Sequence, residues 1–308
     1  MAFDFKNAAP DFFVIGAAKA GSTAVWSWLR QHPDVFMTDV KEPGFFACDG
    51  PNAVPVNGPY DKDHVRSLST SPSEYKALFQ EAGDKVTGDV SPIYLNDVRA
   101  SFRIAWRRPD ARIIILLRDP VDRAYSQYLH HRRDGLEPCE TFECALLAER
   151  ERIQSGWSWG HAYTTAGRYA SKVEHYLNLF HPSQILFLDY AQLRSEAEVC
   201  WEKICHHINV APFPMPELDI ADPASNLPSL KRYQWIERAV RHPGQIQRWA
   251  KSHLPSRLRS QMSSFFVCET SPIQPMHPQT RANLASLFAK DREWLRRNTG
   301  LSLSGWAG

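Results

Sequence analysis

The chain has 308 residues, 43% of them hydrophobic, and its 36 Lys and Arg against 34 Asp and Glu leave a formal net charge of +2. That length and apolar share supply a sizeable core, while the near-balanced charge and the lack of a long basic block argue against a nucleic-acid partner. No run reaches the ~20 apolar residues of a membrane-spanning helix, and Met1-Ala2-Phe3-Asp4-Phe5-Lys6 lacks the basic-then-apolar pattern of a signal peptide, so no membrane insertion and a cytoplasmic location are expected.

The first element is a short apolar run, Phe12-Phe13-Val14-Ile15, which reads as a buried strand. It enters the small-residue loop Gly16-Ala17-Ala18-Lys19-Ala20-Gly21, and Ser22-Thr23-Ala24 then leads into an amphipathic helix over 23–31. Such a loop wraps backbone N–H groups around an anion at the positive end of a helix. Gly16 and Gly21 keep the Gly-x-x-x-x-Gly spacing of a nucleotide P-loop, but the lysine sits inside the loop. Ser22 fills the slot where a nucleoside triphosphatase carries lysine, so the loop suits a phosphate group and not a metal-bound triphosphate. Lys19 is the candidate cation, and Ala20, Gly21, Ser22, Thr23 and Ala24 supply amides and hydroxyls. The alanines permit close backbone approach, as glycine does elsewhere.

Further along come Lys41-Glu42-Pro43-Gly44-Phe45-Phe46, a helical pattern over 73–81, a short strand over 86–88, and Gly88-Asp89-Val90-Ser91-Pro92-Ile93-Tyr94-Leu95. A second buried strand over 112–117 runs into Arg118-Asp119-Pro120. Asp119 is a good N-cap and Pro120 a good first helical residue, which predicts a helix over 121–131. Arg118 then stands at the carboxyl edge of the sheet, where open α/β folds bind ligands, with a guanidinium fork suited to phosphate. Ser126, two turns into that helix, adds a hydroxyl. Another strand is predicted over 185–188, and helices over 140–154, 168–180, 196–208, 229–241 and 280–298. The loop over 155–163 mixes glycine with Trp157, Trp159, His161 and Tyr163, a composition that often lines binding sites.

Alternating strand and helix predict an α/β fold with a central parallel sheet flanked by helices. One domain over 1–308 is expected, its core at about 11–210 and a helical part at about 211–308. Six cysteines are sparse and none forms a Cys-x-x-Cys pair. Cys200 and Cys205 beside His206 and His207 invite a zinc reading, but no second ligand pair lies nearby, so no metal is expected.

Taken together, the Lys19 loop and the Arg118…Ser126 segment resemble the 3′-phosphoadenosine 5′-phosphosulfate (PAPS)-dependent sulfotransferases. The resemblance extends to the heparan-sulfate-type branch and its bacterial relatives. Lys41–Phe46 matches that branch's Lys-Glu-x-x-Phe-Phe, and Gly88–Leu95 its Glu-Lys-Thr-Pro-x-Tyr, with Val90 in place of the lysine. Cys268-Glu269-Thr270-Ser271-Pro272 matches the family's C-terminal cofactor loop only loosely. Lys231 and Arg232 are possible substitutes for its contacts.

The resemblance implies a P-loop nucleotide-kinase-like fold. It also implies transfer of a sulfuryl group from PAPS, leaving 3′-phosphoadenosine 5′-phosphate (PAP), to a hydroxyl or amine of a small-molecule or sugar acceptor. The Lys19–Ala24 loop would hold the 5′-phosphosulfate, Arg118 and Ser126 the 3′-phosphate. Lys19 would sit at the bridging oxygen and Glu42 would be the general base. A sulfuryl group carries less negative charge than a transferring phosphoryl group, so no metal is required. Asp89 is the reserve base, with His64 and His161 behind it. Lys41, Phe46, Asp89, Trp157, Trp159, His161 and Tyr163 are the candidate acceptor contacts. Two rival readings stand beside this one. One is a kinase-like nucleotide phosphotransferase with Asp119 on a metal ion, the other a noncatalytic nucleotide-binding module.

Overall fold

The computed structural model describes residues 9–48, 54–215 and 275–306. Five strands, β1 (Phe12–Gly16), β2 (Val35–Met37), β3 (Val86–Val90), β4 (Arg112–Leu117) and β5 (Ile185–Asp189), form one sheet in the order β2-β3-β1-β4-β5. Every pairing is parallel. The central strands are apolar because they are buried: β1 throughout, and β4 from Ile113 to Leu117. Phe12 lies opposite Gly88 on one side and Arg112 on the other. A Cβ at Gly88 would come within 2.1 Å of the Phe12 ring, so only glycine admits that phenylalanine.

The helices are α1 (Ser22–Leu29), α2 (Lys62–Ser67), α3 (Pro72–Ala77), α4 (Val98–Arg107), α5 (Pro120–Arg133), α6 (Phe142–Gln154), α7 (Tyr163–Gly167), α8 (Ala170–Leu179), α9 (Tyr190–Ser195), α10 (Ala197–His207) and α11 (Pro278–Thr299). A 3-10 turn, Pro92–Leu95, follows β3. Asp119 caps α5 through the amides of Val121 (2.7 Å) and Asp122 (3.3 Å), with Pro120 in the first turn, as its sequence predicts.

α11 packs against α5 and α8. The Asp291 carboxylate accepts from the amides of Tyr169 (3.0 Å) and Ala170 (2.9 Å), satisfying the start of α8. Trp306 donates through Nε1 to Asp189 at the end of β5. The predicted helix over 229–241, Lys231, Arg232 and the Cys268 segment lie outside the described residues. The spacing of the cysteines did not mark a disulfide, yet one joins Cys139 to Cys144. Cys200 and Cys205 are buried in the core, and no group of three potential metal ligands occurs among the described residues. Among these residues no helix is long and apolar enough to cross a membrane.

Candidate active site

β1 and β4 are hydrogen-bonded neighbours, so the loops leaving their carboxyl ends stand side by side. The register between them shifts after Val14, and Ala17 donates its amide to the Leu116 carbonyl, which ties the loop after β1 to β4. Lys19 (φ 67°) and Gly21 (φ 94°) turn through the left-handed region, and Gly21 caps α1. A Cβ at Gly21 would lie 2.6 Å from Leu193, so the loop needs glycine for space as well as for its backbone angle. The amides of Gly21, Ser22, Thr23 and Ala24 begin α1 and have no partner within the helix.

These residues open onto a cleft of about 850 Å³ whose lining includes Lys19, Gly21, Ser22, Thr23, Ala24, Lys41, Glu42, His64, Arg118, Ser126, Trp157 and Trp159. The Arg118 guanidinium donates to the Lys19 carbonyl (2.9 Å) and rests 4.6 Å from the Tyr190 ring centroid. Tyr169 in turn donates to the Arg118 carbonyl (3.1 Å). The Lys19 ammonium has no carboxylate within ion-pairing distance among the described residues. Its pKa is lowered to about 8, chiefly by burial and then by the charges of Arg133 and Arg118. A half-buried cation with no carboxylate partner among the described residues, flanked by arginine, has the chemistry to receive an anion.

Glu42 reaches the cleft from the segment after β2, with φ 63°, and its carboxylate pairs with Lys41. His130, which the sequence reading missed, also lines the cleft. It stands one helical turn beyond Ser126 on the same face of α5, so the i, i+4 spacing was the signal for it. Burial, then the Lys19 charge, hold it neutral with a pKa near 4. Gln127, Asn96 and Tyr190 are further cleft residues without a sequence signal.

Several candidates go elsewhere. Ala20 is buried within the loop and its amide donates to the Ala17 carbonyl (3.2 Å), so that amide is spent inside the loop. Phe46 packs edge-on against Phe13 and Tyr94 in the core. Asp89 is fully buried, with its oxygens taken by the hydroxyls of Ser91 (2.6 Å), Tyr75 (2.7 Å) and Tyr94 (2.7 Å), so it is neither a cleft contact nor an accessible base. His161 is buried between Ser158 Oγ and the Leu136 carbonyl. Tyr163 is buried and donates to Glu137 (2.6 Å), which also takes both terminal nitrogens of Arg152. That buried ion pair reaches the cleft indirectly, since the Arg152 guanidinium lies 4.7 Å from the Trp157 ring centroid.

A parallel α/β sheet with a tight small-residue loop leading into a helix after one central strand and an arginine at the end of its neighbour defines a P-loop-like enzyme fold. The chain belongs to the sulfotransferase family: the model of the sulfotransferase domain matches residues 9–267. Heparan sulfate glucosamine 3-O-sulfotransferase 3B1 of Homo sapiens is 31% identical over 193 residues, covering 61% of this chain and 43% of that protein. Bifunctional heparan sulfate N-deacetylase/N-sulfotransferase 1 of Caenorhabditis briggsae is 26% identical over 219 residues, covering 68% of this chain and 24% of that protein. The chain thus spans less than half the length of these curated relatives. A sulfotransferase from Alicyclobacillus acidocaldarius superposes with a TM-score of 0.74 at 26% identity, covering 97% of this chain and 99% of that one.

Proposed function

We propose that the protein transfers a sulfuryl group from PAPS to a hydroxyl or amine of a sugar or small-molecule acceptor. The observation that carries this reading is the convergence of Lys19 and Arg118 on one cleft, joined by the hydrogen bond from Arg118 to the Lys19 carbonyl. A molecule with an anionic group at each end is the ligand such a pair of cradles fits. The volume of about 850 Å³ is ample for one nucleotide-sized donor together with a small acceptor.

The residues present fit PAPS on chemical grounds. The loop amides and the unpaired Lys19 ammonium suit its 5′ end, and the Arg118 fork with the Ser126 hydroxyl suits its 3′-phosphate. When bound, PAPS supplies an activated sulfuryl group on a phosphosulfate anhydride. Lys19 stabilises the oxygen on which leaving-group charge collects, and a neighbouring anion favours its charged form. Glu42 takes the acceptor proton, and Lys41 steers that carboxylate. Asp119, which the kinase-like reading would assign to a metal ion, spends an oxygen on capping α5. Trp157 and Trp159 stand at the cleft wall as acceptor contacts.

Thermal melting with PAP, and separately with ATP and magnesium, tests the assignment. A rise in Tm with PAP and none with ATP–magnesium is the expected result. The reverse pattern would overturn it in favour of a nucleotide phosphotransferase.

A further inference from the structure

The segment that carries Glu42 is held from behind by a group outside the cleft. Asp89, at the end of β3, is fully buried and accepts three hydroxyl hydrogen bonds. Ser91 gives its only hydroxyl hydrogen to Asp89 Oδ1, so its oxygen can meet the Gly44 amide only as an acceptor, at 3.1 Å. Tyr94 gives its hydrogen to Asp89 Oδ2, and its oxygen meets the Phe46 amide at 3.5 Å. Tyr75 also donates to Oδ2, while its ring stacks on Phe45 at 4.6 Å. A carboxylate accepts and never donates, so it fixes the direction of all three hydroxyls. Without it the hydroxyls are free to turn their hydrogens toward the loop amides, which are donors themselves.

The consequence falls on Glu42. It holds φ 63°, and Gly44 two residues later holds φ 65°. A side-chain-bearing residue keeps a left-handed backbone only where its surroundings enforce it. The anchors of the next residues, the Gly44 amide, the Phe45 ring and the Phe46 amide, all lead back to one carboxylate. Burial, opposed by the three hydroxyls and reinforced by the Glu42 charge, lifts Asp89 to a pKa of about 6, and the three hydroxyls that donate to it favour its ionised form.

We propose that Asp89 is a positioning residue. Through the oriented hydroxyls of Ser91 and Tyr94 it fixes the 44–46 backbone and so aims Glu42 into the cleft. The functional weight of this relay rests on the reading of Glu42 as the base, but its physical content does not.

Amide hydrogen exchange on the full chain tests it, with Ser91→Ala, Tyr94→Phe, Tyr75→Phe and Asp89→Asn compared to the parent. Ser91→Ala is expected to speed exchange at Gly44 by about tenfold, the loss of one hydrogen bond's worth of local stability. Tyr94→Phe does the same at Phe46, and Asp89→Asn at both. Tyr75→Phe keeps the ring stack and touches no loop amide, so it leaves both sites unchanged. Exchange in β1 and β4 and the PAP-induced rise in Tm stay at parent values in the single-hydroxyl variants. Unchanged exchange at Gly44 and Phe46, or acceleration spread equally over β1 and β4, overturns the proposal. If Asp89→Asn does not fold, the Ser91 and Tyr94 variants decide alone. Turnover of Glu42→Gln is scored separately: full activity there removes the base and leaves the relay, whereas unaltered exchange removes the relay and leaves the base.

Discussion

The guanidinium of Arg118 donates to the backbone carbonyl of Lys19 across 2.9 Å. Two segments 99 residues apart in sequence are thereby joined at the point where each presents its cation. The bond occupies one guanidinium nitrogen, and the rest of the fork lies over Tyr190 at the cleft wall.

Replacing Arg118 therefore removes a brace on the Lys19 loop and, on the proposed reading, a phosphate ligand as well. Arg118→Ala should weaken PAP binding by about tenfold or more, the scale of a charge-assisted hydrogen bond. Arg118→Lys should recover little, because a lysine point charge cannot serve the carbonyl and a phosphate together. Calorimetric titration of both variants with PAP checks this. Equal affinity of Arg118→Lys and the parent would contradict the two-fold role.

Lys19 makes a prediction about pH. Its folded-state pKa of about 8 lies below the ordinary 10.5, so folding disfavours the charged form. The ammonium prevails below about 8 and is lost as the pH rises through that value. PAP affinity should be full on the acid side of this range, decline above it, and be accompanied there by proton uptake, read as a buffer-dependent binding enthalpy. Stability runs the opposite way with pH: the desolvated charge is a cost below about 8, relieved as the pH climbs toward 10.5. Lys19→Met should consequently melt higher than the parent at neutral pH while failing to respond to PAP.

Glu42→Gln should reduce sulfuryl transfer by roughly 10²–10⁴-fold, the usual contribution of a general base, with PAP binding intact. The assay follows PAP release and the mass gain of the acceptor after a screen of hydroxyl and amine compounds. An unaffected kcat would remove Glu42 from the chemistry.

The Glu137–Arg152 pair, which supports Trp157 from behind the cleft wall, predicts an effect on stability. Its side chains are 0% and 5% exposed. Removing Arg152 leaves the Glu137 charge buried with only the Tyr163 hydroxyl and the Cys139 amide as partners, so Arg152→Ala should cost about 3 kcal/mol. A double replacement by apolar residues of similar size should recover much of that loss in urea titrations. A small effect of the single variant would mean that water reaches the pair.

Sequence periodicity conveyed the sheet well where strands are buried on both sides. The runs at 12–15, 112–117 and 185–188 became β1, β4 and β5 with near-identical limits. β2 escaped notice because three residues are too few to display a period. α4 escaped for a different reason. Its buried face uses Ala100, Ser101 and Ile104, while Phe102 and Trp106 are 53% and 77% exposed, so large apolar side chains mark the outer face. In the site, the residues on loops after strands were legible, since strand ends fix their direction. Asp89 was misplaced because its environment depends on Tyr75, which α3 brings from 14 residues away. His161 and Tyr163 were misplaced because glycine-rich aromatic loops and buried polar networks share one composition.

The cations that would grip the donor hang from β1 and β4, at the middle of the sheet, where any shift disturbs the whole core. Glu42 follows β2 at the sheet's rim, and the two tryptophans belong to a connection outside it. Redesign of what the enzyme accepts can thus proceed at the periphery, by exchanging loops, while the central pair proposed to handle the nucleotide is left as it stands.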